Sequence, residues 1–133
     1  MSTLRAKNVY GVVLLTRLRV GLSHLREHKF KHGFQDTINP FCNCQTNSIE
    51  TTKHYLLHCS NFPNERLHLF TGLRYLDMNI FPLNPVSLCQ TLLFGDPIFS
   101  DNMNRNILNL VINFILDSQR FSGPLFLFKI IFI

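Results

Sequence analysis

The chain has 133 residues, enough for one domain with a moderate core, and 13 Lys and Arg against 8 Asp and Glu give it a net charge of +5. Apolar residues make up an ordinary 46%, and no uninterrupted apolar run approaches the ~20 residues that cross a bilayer, which argues against a membrane-spanning protein. The charge is uneven: residues 1–34 hold seven Lys and Arg and one acid, a net +6, whereas residues 35–133 hold six and seven, a net −1. The basicity is therefore local.

Residues 1–34 are predicted to form a basic amphipathic helical segment. Leucines recur at spacings of four and three, which predicts a helix over residues 12–30, kinked or ended by Gly21 and followed by Gly33 as its C-terminal cap. The apolar stripe consists of Leu14, Leu18, Leu22 and Leu25. The candidate nucleic-acid-binding residues on the basic side are Arg17, Arg19, His24, Arg26, His28, Lys29 and Lys31.

Residues 35–62 contain the one constellation in the sequence with the chemistry of a site. Three thiols and an imidazole follow the spacing Cys-x-Cys…His-x4-Cys: Cys42, Cys44, His54 and Cys59. Thiolate and imidazole are the ligands that zinc prefers, and four of them fill a tetrahedral shell. A filled shell leaves no position for water, so the predicted zinc is structural and not catalytic. One spacing is unusual, because short zinc loops more often place two residues between the first cysteines.

The second half of this motif is predicted to lie on a short helix that begins at residue 51 or 52. On a straight α-helix, His54 and Cys59 would point about 140° apart. Both reach one metal only if the helix ends before Cys59, and the following Ser60-Asn61-Phe62-Pro63 supplies such an ending. His58 lies four residues after His54 and is the reserve ligand.

Other uses of the cysteines stay open. Cys89 brings the total to four, which allows two disulfides in an oxidising compartment, and a buried thiol can also be a plain core residue. The N-terminus argues against export, because only about seven apolar residues follow Lys7 and no small-x-small cleavage pattern comes after them. Reduced cysteines in an intracellular protein, in the nucleus or cytoplasm, are therefore expected.

Residues 63–121 are predicted to be a helical region with a Pro- and Gly-rich connection. An amphipathic segment runs over residues 64–73 and stops near Gly72, and residues 77–101 are expected to be loop with at most one helical turn at 86–94. Residues 104–121 form a second clear helix, capped by Asp101 or Asn102. Its apolar face consists of Ile107, Leu110, Val111, Phe114 and Ile115. Residues 122–133 form an apolar tail that is expected to be unstructured.

Together these elements predict a mainly α fold: a small helical domain with an irregular zinc-binding loop. Its length fits either one domain or a fragment of something larger.

Three stretches carry a likeness to a known family. They are Leu14 to His28 with its Arg17-Leu-Arg-x-Gly centre, Cys42-Asn-Cys44, and Glu50-Thr-Thr-x-His-x4-Cys59. They resemble the C-terminal zinc-knuckle-like region of LINE-type (non-LTR) retrotransposon reverse transcriptases. The likeness continues more loosely through Asn64-Glu65-Arg66, Leu93 to Asp96 and Ile107 to Phe121, so it covers residues 14–121.

The resemblance implies that the chain is a fragment of a larger polyprotein. In the family this part is a module downstream of the polymerase domain that binds nucleic acid while the element copies its RNA at a cut DNA target. The resemblance implies that the metal ligands are Cys42, Cys44, His54 and Cys59. It also places Arg17, Arg19, His24 and His28 in the family's upstream basic segment. Many members have two residues between the first cysteines, where this chain has only Asn43.

No Asp-Asp pair, as a polymerase of this family requires, occurs in the chain, so we expect no enzyme activity. The leading hypothesis is a non-catalytic zinc-binding module that binds RNA or DNA phosphates with little sequence preference. Phe30, Phe34 and Tyr55 either stack on unpaired bases or pack in the core. The alternatives are a structural or protein-interaction module, whose partner is another part of the polyprotein, and a decayed remnant. A Cys59 nucleophile with His54 or His58 as its base is the weakest reading, because no orienting group is evident.

Overall fold

The computed structural model describes residues 2–76 and 83–121, with side chains from residue 8 onward. Within these ranges the chain forms five α-helices and one turn of π-helix. The helices are α1 (Ser2–Val20), α2 (Arg26–Lys31), α3 (Pro63–Leu76), α4 (Pro85–Phe94) and α5 (Asp101–Ser118), and the π turn is His54–His58. The mainly α prediction is confirmed. The predicted apolar tail, residues 122–133, lies outside the described residues.

The predicted helix over residues 12–30 is two helices. The first begins already at Ser2 and ends at Val20, because Gly21 takes a left-handed φ of 75° and breaks it before α2 starts. Three of the four stripe leucines are buried, but Leu22 falls in the break and is 55% exposed. Of the two predicted effects of Gly21, ending the first helix is confirmed, whereas the predicted start at residue 12 and the burial of Leu22 were wrong.

The end of α2 follows the predicted pattern. Gly33 has a φ of 72°, its N–H donates to the carbonyl of Phe30 at 3.2 Å, and the N–H of Phe34 donates to the carbonyl of Lys29 at 3.0 Å. This pair of hydrogen bonds is the Schellman arrangement, which satisfies the last carbonyls of a helix. Gly33 as the C-terminal cap is confirmed.

Helix α3 runs past Gly72, where the sequence predicted its end. A Cβ atom at Gly72 would lie 2.5 Å from Cδ2 of Leu110 on α5, so this glycine lets two helices approach closely. On the other side of α5, a Cβ atom at Gly11 of α1 would lie 2.5 Å from Cγ2 of Ile112. These two glycines serve helix packing and not chain reversal.

Helix α4 lies where the sequence predicted loop with at most one helical turn. The Asn84 side chain accepts the N–H of Ser87 at 2.8 Å, Pro85 occupies the first helical position, and Gly95 with a φ of 75° ends the helix. Pro at the start and Gly at the end are ordinary boundary residues of a helix, which explains why reading them as breakers was wrong. Residues 77–82 of the predicted loop lie outside the described residues.

Helix α5 is the central element, since it contacts α1, α3 and α4. Its cap is Ser100, whose Oγ accepts the N–H of Met103 at 3.1 Å, and not Asp101 or Asn102. The side chains that it buries are Ile107, Val111, Ile112, Phe114 and Ile115. The predicted apolar face is confirmed, with Ile112 added and Leu110 only partly buried.

The π turn is anchored in the same core. Tyr55 is fully buried, its ring lies 5.2 Å from Phe114 of α5, and its hydroxyl is 2.7 Å from the Oγ of Ser118. From the opposite end of the chain, the Tyr10 hydroxyl donates to the carbonyl of Phe121 at 3.1 Å. The π turn is therefore packed against the helical core through Tyr55. Across the described ranges, none of the helices is both long and apolar enough to cross a membrane.

Candidate metal centre

Cys42 and Cys44 lie on a tight reversal of the chain. The Cys42 N–H donates to the carbonyl of Ser48 at 2.7 Å, and the Glu50 N–H donates to the carbonyl of Pro40 at 2.9 Å. Phe41 and Ile49 form an isolated antiparallel bridge between the two arms. At the tip, Asn47 adopts a left-handed φ of 55°, which asparagine tolerates better than most residues. This reversal holds both thiols on one side of the turn.

The π turn brings His54 and Cys59 together. It begins with the Thr51 hydroxyl accepting the His54 N–H at 2.9 Å, and it closes with the Cys59 N–H donating to the His54 carbonyl at 2.7 Å. This i→i−5 bond makes a wider turn than an α-helix, so residues five apart come to the same side. Cys59 itself is extended, with φ −63° and ψ 127°. The prediction that the helix ends before Cys59 is confirmed, and the π register is an addition to it.

The four predicted ligand atoms converge. The three Sγ atoms and one imidazole nitrogen all lie within 4.8 Å of one another, and all four residues are buried. Cys42 Sγ is 3.7 Å from Cys59 Sγ, and Cys44 Sγ is 3.4 Å from His54 Nε2. With bond lengths typical of zinc, the edges of a regular tetrahedron are about 3.8 Å for two sulfurs and about 3.6 Å for sulfur and nitrogen. The cluster could therefore hold a metal ion at its centre. The reserve ligand His58 is exposed and is not part of it.

The backbone N–H two residues after each thiol, that of Cys44, Thr46 and Asn61 in turn, acts to lower the pKa of the thiols of Cys42, Cys44 and Cys59. A backbone N–H near sulfur favours the thiolate form.

The three thiols nevertheless differ in their readiness to lose a proton. Burial raises the pKa of Cys42 to about 12 and also raises the pKa of Cys59. The Thr46 hydroxyl, 2.9 Å from Cys44 Sγ, lowers the pKa of Cys44 to about 5. Cys44 is therefore a ready thiolate near neutral pH, whereas a metal bound here would have to displace the protons of Cys42 and Cys59.

All four cysteines are free thiols, so the structure contains neither of the two disulfides that the cysteine count allowed. The 3.7 Å between the sulfurs of Cys42 and Cys59 is well beyond the ~2.05 Å of a disulfide bond. Cys89 is buried in the helical core on α4, apart from the other three, and is a packing residue there.

Glu50 is a buried carboxylate beside the thiols, with 3% exposure, and sequence reasoning did not single it out. Its Oε2 lies 3.9 Å from Cys42 Sγ and accepts Nε of Arg120 at 2.8 Å, and its Oε1 accepts Nη2 of Arg120 at 2.6 Å. Burial acts to lower the pKa of Arg120, but the bonds to Glu50 outweigh it and the pKa is raised. The only sequence signal for Glu50 was its place at the start of the Glu-Thr-Thr-x-His stretch.

Glu50 also joins the cluster to α2. Its Oε1 accepts the backbone N–H of Arg26 at 2.8 Å, and its carbonyl accepts the N–H of Glu27 at 3.3 Å. These are orphan donors of the first turn of α2, which no residue within the helix can satisfy. The position of the basic helix is thus tied to the loop that carries the ligands.

Arg66 holds the opposite side of the cluster. All three nitrogens of its guanidinium donate to main-chain carbonyls: Nε to Leu56 at 3.0 Å, Nη1 to Cys59 at 2.6 Å and Nη2 to Tyr55 at 2.9 Å. The guanidinium also lies 5.8 Å from the ring centroid of Phe114. Sequence reasoning passed over Arg66, although it lies within the looser part of the family likeness.

Two arginines of the predicted nucleic-acid-binding set are engaged within the fold. Arg19 donates through Nε to the carbonyl of Leu93. Arg26 donates through Nη2 to the carbonyl of Asn39 at 3.2 Å. Both are only partly exposed, so their contribution to a charged surface is reduced.

His28 belongs to the interior, with 6% exposure. Its Nδ1 accepts the backbone N–H of Ser23 at 3.2 Å and lies 2.7 Å from the Ser23 hydroxyl, and its Nε2 is 3.5 Å from the Thr52 hydroxyl. Burial lowers the pKa of His28. The side chain links the break after α1 to the start of the π turn.

The two lysines of the set differ in their exposure to solvent. The Lys31 side chain is 68% exposed, and its Nζ is 3.8 Å from Glu27. The Lys29 side chain is 19% exposed, pairs with Asp36 at 2.8 Å and lies 5.9 Å from the ring centroid of Phe34. Both cations lie on α2, next to the ligand loop.

The three aromatic candidates for base stacking differ in their burial. Tyr55 is a core residue, whereas Phe30 and Phe34 are each 45% exposed. His24 is exposed and lies 6.2 Å from Phe34, edge to face, and Arg17 is partly exposed. Two aromatic rings and several cations thus share the surface around α2.

Comparisons of the chain with protein-family models, with curated proteins and with solved structures found no match. The function is therefore inferred from two features of the fold. They are the cluster of Cys42, Cys44, His54 and Cys59 and the surface of α2 beside it.

Proposed function

We propose that this chain is a non-catalytic zinc-binding module that binds RNA or DNA through the phosphate backbone. The observation that supports the zinc is the convergence of four buried ligand atoms within 4.8 Å of one another, two of whose separations, 3.7 Å and 3.4 Å, are close to the edges of a tetrahedral thiolate–imidazole site. Four protein ligands leave no open position, so a bound zinc stabilises the loop and activates no water. Metal-bound thiolates must stay reduced, which fits a location in the nucleus or cytoplasm.

The metal would act on the nucleic-acid surface through α2. Glu50, in the ligand loop, accepts two backbone N–H groups from the first turn of this helix, those of Arg26 and Glu27. Metal binding and local folding are coupled in such loops, so zinc would order residues 40–60. Through Glu50, the ordered loop would then also fix the position of α2.

The surface of α2 offers contacts to both parts of a nucleotide. Lys31 and Lys29 supply charge for phosphates, and Phe30 and Phe34 supply half-exposed rings for bases. The buried His28 is assigned to support of the fold and not to contact with nucleic acid. Since phosphates dominate such binding, we expect it to weaken steeply with salt and to depend little on sequence.

The parent protein in this proposal is the polyprotein of a LINE-type reverse transcriptase, an RNA-directed DNA polymerase. Its support is the sequence pattern alone: the arginine-rich stretch around Arg17, the Cys42-Asn-Cys44 pair and the Glu50 to Cys59 stretch. The chain would be the non-catalytic C-terminal part of that enzyme.

A cobalt(II) titration of the reduced protein tests the metal site. We expect visible bands of a tetrahedral, thiolate-rich site that zinc displaces, and weaker or shifted bands for Cys59→Ser. Cys89→Ser is the matched control, because Cys89 lies in the helical core and should leave the bands unchanged. Absence of tetrahedral bands in the wild-type protein refutes the zinc site.

Fluorescence anisotropy with the zinc-loaded protein tests the second step. Both a single-stranded oligonucleotide and a duplex are titrated at several salt concentrations. If Lys29 and Lys31 each contact one phosphate, the slope of log affinity against log salt should be about −1.4 to −1.8. Lys31→Gln should weaken binding, and Arg105→Gln, an exposed arginine of α5, is its control. Binding that does not respond to salt or to Lys31 contradicts the proposal.

The competing function, a protein-interaction module, is favoured by a different observation. The ligand loop and its approach expose apolar side chains to solvent: Ile38 is 82% exposed, Phe41 48% and Ile49 41%. Exposed apolar residues grouped in this way are typical of protein contacts. Loss of partner binding on Ile38→Ser, with nucleic-acid binding unchanged, would favour this alternative.

A further inference from the structure

Arg66 is arranged around the metal ligand Cys59 and not around a carboxylate. Its three nitrogens donate to the carbonyls of Tyr55, Leu56 and Cys59, at 2.9, 3.0 and 2.6 Å. These carbonyls belong to the end of the π turn and to the ligand itself, which is where helix carbonyls lack partners within the helix. One planar group thus holds the wide turn in the shape that brings His54 and Cys59 together.

Arg66 also bears on the net charge of a zinc-loaded site. Three thiolates and one divalent ion sum to −1, because His54 binds as a neutral ligand. Burying an uncompensated charge is costly. Glu50 cannot compensate it, because Glu50 is itself negative and is already paired with Arg120 at 2.6 Å. Within the described part of the chain, the ion pairs are those of Lys29, Lys31 and Arg120, so Arg66 is the half-buried cation beside the cluster without a carboxylate partner.

We infer that Arg66 is a positioning residue of the metal centre, which fixes the main chain around Cys59 and balances the negative charge of the metal-bound thiolates. This inference rests on the proposed zinc site. It assigns to α3 a part in metal binding, although α3 contributes no ligand. Lysine cannot replace Arg66 fully, because an ammonium carries the charge but cannot reproduce the three donors of a planar guanidinium.

The test is a cobalt(II) titration of the reduced full chain, with Arg66→Met, Arg66→Lys and Arg105→Met. Methionine keeps much of the apolar volume against Phe114 and removes the charge and the donors. Circular dichroism first establishes that each variant is folded. We expect Arg66→Met to bind cobalt about 10- to 100-fold more weakly than the wild type, which is the usual effect of losing a residue that supports a metal ligand. Arg66→Lys should fall between the two, and Arg105→Met should match the wild type.

A role in the helical fold alone predicts a different result. The variants would then unfold at lower urea concentration by the same margin with and without metal, and the cobalt bands and affinity of the folded protein would not change. Wild-type cobalt affinity in folded Arg66→Met overturns the inference. If Arg66→Met does not fold, Arg66→Lys decides: weaker binding supports the inference and wild-type affinity overturns it. Absence of cobalt bands in the wild type itself refutes the zinc site, and the inference with it.

Discussion

Removing one partner of the ion pair between Glu50 and Arg120 should cost more stability than most single substitutions, because it leaves the other charge buried and unpaired. Glu50 keeps 4% of its side-chain exposure and Arg120 25%, and two hydrogen bonds of 2.6 and 2.8 Å join them. Replacing Arg120 by Met would leave a negative charge buried beside the Cys42 thiol. Breaking a buried pair in this way costs about 3–5 kcal/mol. That is a large share of the ~5–15 kcal/mol by which domains are usually stable.

A double-mutant cycle measures this effect. The free energy of unfolding in urea is determined for the wild type, Arg120→Met, Glu50→Gln and the double variant, all loaded with metal. We expect Arg120→Met to lose about 3–5 kcal/mol. The double variant should lose less than the sum of the single variants, because Gln at position 50 needs no counter-ion while its amide oxygen still accepts the Arg26 N–H. A loss below about 1 kcal/mol for Arg120→Met, the value of an exposed pair, would refute this account.

Three further predictions concern the metal, the packing and pH. Chelation of the metal should make residues 40–60 sensitive to protease while α5 stays helical, and unchanged cleavage there would contradict the coupling of metal and loop. Gly11→Ala should lower the free energy of unfolding by about 1–3 kcal/mol, because its Cβ would meet Ile112 at 2.5 Å; thermal unfolding checks this, and equal stability would mean that α1 can shift. Burial lowers the pKa of His28 below 6.5, so the unfolded chain binds its proton first and stability should fall as pH drops below about 6.5. His28→Gln should reduce that slope in urea titrations between pH 7 and pH 5, and an unchanged slope would show that His28 does not titrate on unfolding.

The cluster of Cys42, Cys44, His54 and Cys59 could be predicted because its members are close together in the sequence. Four side chains within residues 42–59 carry the whole signal, and the spacing limits how they can meet. The same holds for α5, whose apolar residues repeat with the helical period. The role of Gly33 as a C-terminal cap could also be predicted, since a glycine directly after a run of helical residues commonly ends the helix.

What could not be predicted depends on partners far away in sequence. Gly72 was read as a helix end because its reason for being glycine lies on α5, at Leu110. The proline and glycine around α4 were read as loop signals, since helix caps and loops share these residues. Glu50 gave no sign of its role because its counter-ion, Arg120, lies 70 residues later.

The basic segment could also be predicted only in part. Its seven cationic and histidine residues were predicted to form one charged surface, but the sequence does not show which of them make hydrogen bonds within the fold or are buried. Arg19 and Arg26 bond to carbonyls, and His28 lies in the interior. Only the structure separates these from Lys31, whose side chain is 68% exposed.

The distance along the chain between Glu50 and Arg120 also has a consequence for synthesis. The two are 70 residues apart, which corresponds to about 4–14 s of translation at ~5–20 residues per second. Once Cys59 has been added, the nascent chain contains all four residues of the candidate metal cluster, while the Glu50 carboxylate still lacks the Arg120 guanidinium. The Glu50–Arg120 ion pair therefore forms late in synthesis. A product that stops before Arg120 would contain all four residues of the cluster, but its buried Glu50 carboxylate would have no counter-ion.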